Sequence, residues 1–210
     1  MKKEHLELRA KPRQARSAAT FDHILDTAII VLEQDGWDAF STNVLAERAG
    51  IGIQTLYRYF PNKLSVVATL AQRIIGEWDE WFEDFDRFVS QDIERGAENG
   101  FLFFLEKLKN QPGGVAIRRA MNASPVLREM DREDNRRMAN GFADAFARQS
   151  GDKNAGDFFY MFLTVIEASL AVADVVLDSP KAESEQMIDE FVFMQSLFIK
   201  ERTRQIRERQ

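Results

Sequence analysis

Between Arg48 and Ser65 the chain reads RAGIGIQTLYRYFPNKLS, a run that gathers Gln54, Thr55, Tyr57, Arg58, Tyr59 and Lys63. These are groups that hydrogen-bond to nucleic acid. Glutamine pairs bidentately with adenine, and threonine meets a thymine methyl or donates to phosphate. Phenols, and a lysine at a helix N-terminus, suit phosphate oxygens. On a helical wheel Ile53, Leu56 and Phe60 fall on one side, Gln54, Thr55 and Arg58 on the other, and Tyr57 and Tyr59 on the flanks. The apolar side docks and the polar side is presented. A plainer reading makes Tyr57 and Tyr59 half-buried core aromatics and Arg58 part of a solvated face.

Such a helix needs a partner and a turn. A preceding short helix, Asn43 to Ala49, capped by Ser41 or Thr42, offers Val44, Leu45 and Ala49. Gly50 permits the left-handed turn between the two. Together they read as a helix-turn-helix, whose second helix enters the DNA major groove while the first lies across the backbone. Upstream, a helix from Arg16 to Asp35 carries Ile24, Leu25, Ala28, Ile29 and Leu32 on one face and stops at Gly36. Downstream, Pro61 closes the recognition helix and Asn62 caps a long helix from Lys63 to Arg87. Further helices are expected over 92–109, 115–121, 124–149, 157–177 and 184–208, separated by QPGG, NASP, SGDKN and DSPKAES. No alternating strand pattern appears, so the fold class is all-α, with about nine helices. The expected organisation is a flexible basic arm (1–15), a three-helix DNA-binding domain (16–63) and a helical ligand-binding and dimerisation domain (64–210).

The 210 residues carry no cysteine, which excludes disulfides and thiolate metal sites. The N-terminus is charged throughout, unlike a signal peptide. Glu167 and Asp174 interrupt the longest apolar run, so a cytoplasmic protein outside the membrane is expected. Net charge is −6, which alone argues against a polyanionic partner. The acidity belongs to the C-terminal part: residues 1–20 hold six Lys or Arg against two Glu, and residues 64–210 hold 19 against 26 Asp or Glu. Arg9, Lys11, Arg13 and Arg16 in this basic arm fit phosphate or minor-groove contact, or a plain solvated tail.

The segment from Phe21 to Ser65 resembles the DNA-binding domain of the TetR family of one-component regulators. Gly36, Trp37, Thr42, Leu45, Ala46, Ala49, Gly50, Thr55, Leu56, Tyr57, Tyr59, Phe60 and Lys63 stand at that family's spacing. The resemblance covers about the first third of the chain. It implies phosphate contacts from Thr42, Thr55, Tyr57, Tyr59 and Lys63, and approach to base edges by Asn43, Ile53, Gln54 and Thr55. The departure lies in IGIQ, where Gly52 stands in place of a capping serine and apolar Ile53 in place of a polar reader.

Beyond Lys63 the resemblance is architectural. The helix over 157–177 is apolar nearly all round, and the last helix carries Met187, Phe191, Met194 and Phe198 on one stripe and Ile188, Val192 and Ile199 on another. Two apolar faces imply two partners, the chain's own core and the same helices of a second subunit. Leu170, Asp174, Phe191, Met194 and Phe198 are the expected seam, and a homodimer is what paired half-sites of a palindromic operator require. Trp78, Trp81, Phe82, Phe85, Phe104, Met121, Phe142 and Phe162 are candidates to line a pocket for an apolar or aromatic effector. Tyr160, Thr164, Glu167, Ala171 and Asp174 share one stripe. Glu167 meets a polar part of that ligand, or the stripe faces solvent or an arginine in the dimer seam.

An enzyme fits poorly. Only His5 and His23 are present, with no Glu-x-x-His, P-loop or dinucleotide fingerprint, so no catalytic residue, metal or cofactor is expected. His23 reads as structural. A helical interaction module explains the bundle but leaves Thr42, Tyr57, Tyr59 and Lys63 without a reason to be together. The expectation is a DNA-binding transcriptional repressor whose operator affinity is lowered by a small ligand; a ligand-responsive activator is the alternative.

Overall fold

The computed structural model describes residues 6–83, 93–152 and 154–209. Among these the regular structure is nine α-helices and a short 3-10 turn, with no strand. They are α1 (Ala15–Ala39), α2 (Thr42–Arg48), α3 (Ile53–Tyr59), α4 (Lys63–Glu83), α5 (Ile93–Asn110), α6 (Gly114–Ala123), α7 (Pro125–Ser150), α8 (Phe159–Val176) and α9 (Lys181–Arg207). The 3-10 turn, Ala155–Phe158, leads into α8.

Turn chemistry sets these boundaries. Gly36, at φ 73° and ψ 177°, breaks α1, and a single turn follows it. Gly50, at φ 62°, closes α2: its N–H reaches the Glu47 carbonyl and the Ile51 N–H reaches that of Ala46, each at 3.0 Å. Asn62 and Ser65 cap α4 reciprocally. The Ser65 N–H donates to Asn62 Oδ1 at 3.0 Å and the Asn62 N–H to Ser65 Oγ at 3.4 Å. Asn62→Ala is therefore expected to lose about 1 kcal/mol of stability in a thermal melt, and Asn62→Ser much less. α9 starts at Lys181, before the expected Ser184, because the Ser184 hydroxyl donates instead to the Val176 carbonyl at 2.9 Å and closes the α8–α9 connection.

Contacts divide the chain into two compact units, residues 1–77 with 109–131, and residues 78–108 with 132–210. Against the expected division at residue 63, the start of α4 and all of α6 group with the N-terminal helices. In this first unit Ile24, Leu25, Ala28, Val31 and Leu32 give α1 a buried stripe at helical spacing. They pack with Phe40, Leu45, Leu56, Phe60, Val66 and Val67, all buried. Phe21 stacks on Phe60, ring centroids 5.0 Å apart, and meets Tyr59 edge-on at 5.5 Å. Ile29, expected on the core face, is only half-buried. Its side chain lies under Gly113, which holds φ 73° at the mouth of α6. The Gly113 N–H donates to Glu33 Oε1 at 2.9 Å, so α1 ties down the α6 N-terminus with a carboxylate.

The second unit holds two apolar clusters. One joins Ala139, Ala143 and Phe146 of α7 to Phe158, Met161, Phe162, Ile166, Ile199 and Ile206; the other joins Phe101 and Leu105 of α5 to Ala173, Val176 and Phe191. The Phe101 and Phe191 rings meet edge-on at 4.6 Å. Even with Glu167 and Asp174 in it, the Ala155–Val176 stretch is long and apolar enough to cross a membrane by length and composition, and 28% of its most apolar window is buried within the chain.

Candidate nucleic-acid interface

α2 and α3 present the polar residues from a rigid base. Leu45 and Leu56 are fully buried between them, and His23 of α1 places a ring nitrogen 3.0 Å from the Ala49 carbonyl at the end of α2. Arg48 reaches back to Asp35 at 2.7 Å and Gln34 at 3.2 Å. Ser41, not Thr42, caps α2, accepting from the Val44 N–H at 3.2 Å. Thr42 is thereby free to place Oγ1 3.0 Å from the Tyr57 hydroxyl, and this contact bridges the first turn of α2 to the last turn of α3. Asn43, Gln54 and Arg58 are exposed, and Ile53, Thr55 and Tyr57 half-buried. No side chain caps α3, whose N-cap is Gly52.

Two expected contact residues are placed differently. Tyr59 is buried, 2% exposed, with its ring in the Phe21–Phe60 cluster. Its hydroxyl donates to the Ser17 carbonyl at 3.4 Å and accepts from Arg58, whose guanidinium stacks 4.7 Å from the ring centre. For Tyr59 the plainer reading holds, because α1 covers that flank of α3. Lys63 folds back onto the end of α1. Its ammonium donates to the Trp37 carbonyl at 3.3 Å and the Phe40 carbonyl at 3.1 Å, and lies 3.8 Å from the Trp37 ring centre. One N–H of Lys63 is left over from these two bonds.

The basic arm is tied down at Arg9, one of the four cations expected to reach nucleic acid, and here it contacts protein. The Arg9 N–H donates to the Tyr59 carbonyl at 2.8 Å, and its guanidinium donates to the Tyr57 carbonyl at 3.3 Å. Both acceptors are carbonyls of the last turn of α3, which no further turn of helix satisfies. The sequence showed only that the arm is basic. Arg13 stands beside Arg58 and Tyr59 in the cleft that results, and Arg16 is exposed on the first turn of α1.

In the second unit Phe142 and Phe162 are neighbours, centroids 5.8 Å apart, and Phe146 meets Phe162 at 5.5 Å and Phe158 at 5.0 Å. Phe104 packs against both apolar clusters. Met121 is buried in the first unit, on α6, so the expected pocket residues do not all belong to one unit. The side chains of Trp78, Trp81, Phe82 and Phe85 lie outside the described residues. Glu167 is exposed and accepts from the buried Asn135 amide at 3.1 Å. Of the expected seam, Leu170 and Phe191 turn inward into the two clusters, Phe198 and Asp174 are half-buried, and Met194 is exposed. Tyr160 is exposed, as the solvent-facing alternative for its stripe has it, and Val175, Phe193 and Leu197, named on no stripe, are exposed as well.

Residues 24–70 match the profile of the bacterial regulatory proteins of the tetR family. The chain is 31% identical over 107 residues to the HTH-type transcriptional regulator EthR of Mycolicibacterium smegmatis, a match covering 50% of this chain and 49% of that protein. It is 30% identical over 162 residues to the HTH-type transcriptional repressor KstR of Rhodococcus jostii, covering 74% of this chain and 66% of that one. The matches thus span about half to two thirds of these relatives' length. Among solved structures, a SmeT–triclosan complex superposes with a TM-score of 0.61 at 18% identity, covering 84% of this chain and 90% of SmeT, and so shares the fold. With its helix-turn-helix inside the matched segment, and with relatives named HTH-type transcriptional regulator and repressor, the chain belongs to the tetR family of bacterial regulatory proteins.

Proposed function

We propose that the protein is a cytoplasmic DNA-binding transcriptional repressor that reads a palindromic operator as a homodimer and is released by a small apolar or aromatic ligand. The observation that carries this reading is the polar face of α3. Gln54 and Arg58 are exposed there over a base of buried Leu56 and Phe60, and Thr42 and Tyr57 are joined at 3.0 Å across the two helices. Relatives named as transcriptional regulators and repressors support it, and SmeT's complex with triclosan supports a small-molecule effector. On this reading Asn43, Ile53, Gln54 and Thr55 approach base edges. Thr42, Tyr57 and the remaining N–H of Lys63 hold phosphates.

Release would run through α4, which is continuous from Lys63 at the proposed phosphate contact to Glu83 in the second unit. A ligand shifts the protein off DNA only by binding the released conformation more tightly than the bound one.

The reading is tested by fluorescence anisotropy on a duplex from the gene's own upstream region, with random DNA as competitor. Tyr57→Phe is expected to weaken binding several-fold through loss of the Thr42 contact and of a phosphate donor. Gln54→Ala is expected to relax preference at one adenine by about 1–3 kcal/mol. Equal affinity for operator and random DNA, with both variants indistinguishable from wild type, would remove the DNA-reading role.

The homodimer rests on exposed apolar stripes of α8 and α9, with Tyr160 72% and Phe193 62% exposed alongside Val175, Met194 and Leu197. A stripe of this kind on an isolated chain marks an interface. The double variant Phe193→Glu, Leu197→Glu is expected to run as a monomer in light scattering and to lose most operator affinity, since paired half-sites then bind independently. A dimer of unchanged mass would place the seam elsewhere.

A further inference from the structure

The arm and the end of the recognition helix border an open cleft of about 650 Å³, lined by Arg9, Lys11, Arg13 and Gln14 of the arm and by Arg58 and Tyr59 of α3, with Leu8, Ala10, Pro12 and Ser17 completing its wall. Four of these residues are cations and none is an acid. Arg9, Lys11, Arg13 and Arg58 have no ion pair among the described residues. Elsewhere in the same unit Arg48 is paired with Asp35, Arg73 with Asp22 and Arg118 with Asp131. Like charges gathered without counter-charge repel one another, and an anion relieves that repulsion.

What keeps the cations together is Arg9. Its backbone N–H and one guanidinium N–H go to carbonyls of the last turn of α3, and the guanidinium lies 6.0 Å from the Tyr57 ring centre. A cation at a helix C-terminus is favourably placed against the helix dipole, so the arm docks where α3 attracts it. Arg58 is held in the cleft from the other side by its stacking on Tyr59. Tyr59, which the structure removes from the presented face, serves here as the wall on which the cleft is built.

We propose that this cleft is a second phosphate site on the operator backbone, filled by Lys11, Arg13 and Arg58, with Arg9 as the positioning residue that fastens the arm to the recognition helix. The proposal rests on the DNA-binding reading above. It differs from a plain basic tail in one respect. Arg9 contacts protein, not phosphate, so removing it undocks the arm and takes the contributions of Lys11 and Arg13 with it.

The test uses the full chain and the operator duplex, with anisotropy measured across a salt series, on Lys11→Ala/Arg13→Ala, on Arg9→Ala and on the triple variant. The double variant is expected to bind roughly tenfold more weakly and to lower the salt slope by about 1–2, each lost phosphate contact removing about 0.9. Arg9→Ala should reproduce most of that loss, and the triple variant should add little to either. Thermal melts of the free proteins should agree closely, since the arm contributes no core residue. A double variant with wild-type affinity and slope overturns the phosphate site. A triple variant whose loss is the sum of the other two overturns the positioning role of Arg9 and makes it an independent contact. Should wild-type protein itself show no preference for the operator, it is the DNA-binding reading that fails, and this site fails with it.

Discussion

Lys63→Met is expected to lower thermal stability by about 1–2 kcal/mol and, separately, to weaken operator binding by roughly tenfold. The two effects come from different protons of one ammonium. Two are held by the Trp37 and Phe40 carbonyls at 3.3 and 3.1 Å, where they satisfy the frayed end of α1 beyond the break at Gly36, and the charge sits 3.8 Å from the Trp37 ring centre. Methionine keeps most of the aliphatic stem but leaves both carbonyls without this donor and the ring without its cation. The third N–H, with what remains of the charge, is proposed to meet a phosphate. Its removal should lower the salt slope of operator binding by about 0.9. A melt that shifts while the slope stays at the wild-type value would make Lys63 a structural clasp alone and would sink its phosphate role.

Gly113→Ala carries the largest expected loss of stability, about 2–4 kcal/mol. Two penalties combine. The residue holds φ 73°, a left-handed conformation that strains any residue with a Cβ. A Cβ built there would also stand 2.8 Å from Ile29 Cγ2 and 3.2 Å from Ile117 Cδ1. Relief by a small shift is blocked because the Gly113 N–H is already anchored to Glu33 at 2.9 Å. The parts separate in a cycle with Ile29→Ala. Deleting the isoleucine side chain removes the nearest clash but not the backbone strain, so Gly113→Ala should cost noticeably less in the Ile29→Ala background. Equal penalties in the two backgrounds would show that the α1–α6 junction yields readily and that only the φ angle matters. Because α6 groups with the N-terminal helices, a weakened junction should also loosen the platform under α3, read as faster amide exchange in α1 and α6.

The helix-turn-helix was legible because its signals are local. Gly50 and Asn62 announce turns and caps through their own backbone preferences, and the alternation of Leu56 and Phe60 with Gln54 and Arg58 needs only helical geometry to define two faces. Among the described residues the helix ends elsewhere followed the same rule to within a few residues; the expected end of α4 at Arg87 and start of α5 at Asp92 lie outside them. α9 is the instructive exception: it was expected to start at Ser184 and starts at Lys181, and the Ser184 hydroxyl found the Val176 carbonyl on the preceding helix.

Side-chain placement depends on what arrives from far away in the chain. A wheel fixes Tyr59 on a flank of α3, but α1, some forty residues earlier, covers that flank and turns the phenol inward, 3.4 Å from the Ser17 carbonyl. The same logic moved Leu170 and Phe191 from an expected seam into the interior and left Phe193 and Leu197 outside. Periodicity shows that a helix has two apolar stripes; it does not say which one the chain's own core consumes. What the sequence determined by itself was an all-helical chain with a helix-turn-helix near its start and a polar face on α3, because each follows from backbone preference and spacing. Only the tertiary structure decided that Lys63 clasps α1, that Arg9 docks the arm on α3, and that α6 belongs with the N-terminal helices. Each of these is a contact between residues distant in the chain, selected by packing and by carbonyls left unsatisfied at helix ends, and no local pattern encodes it.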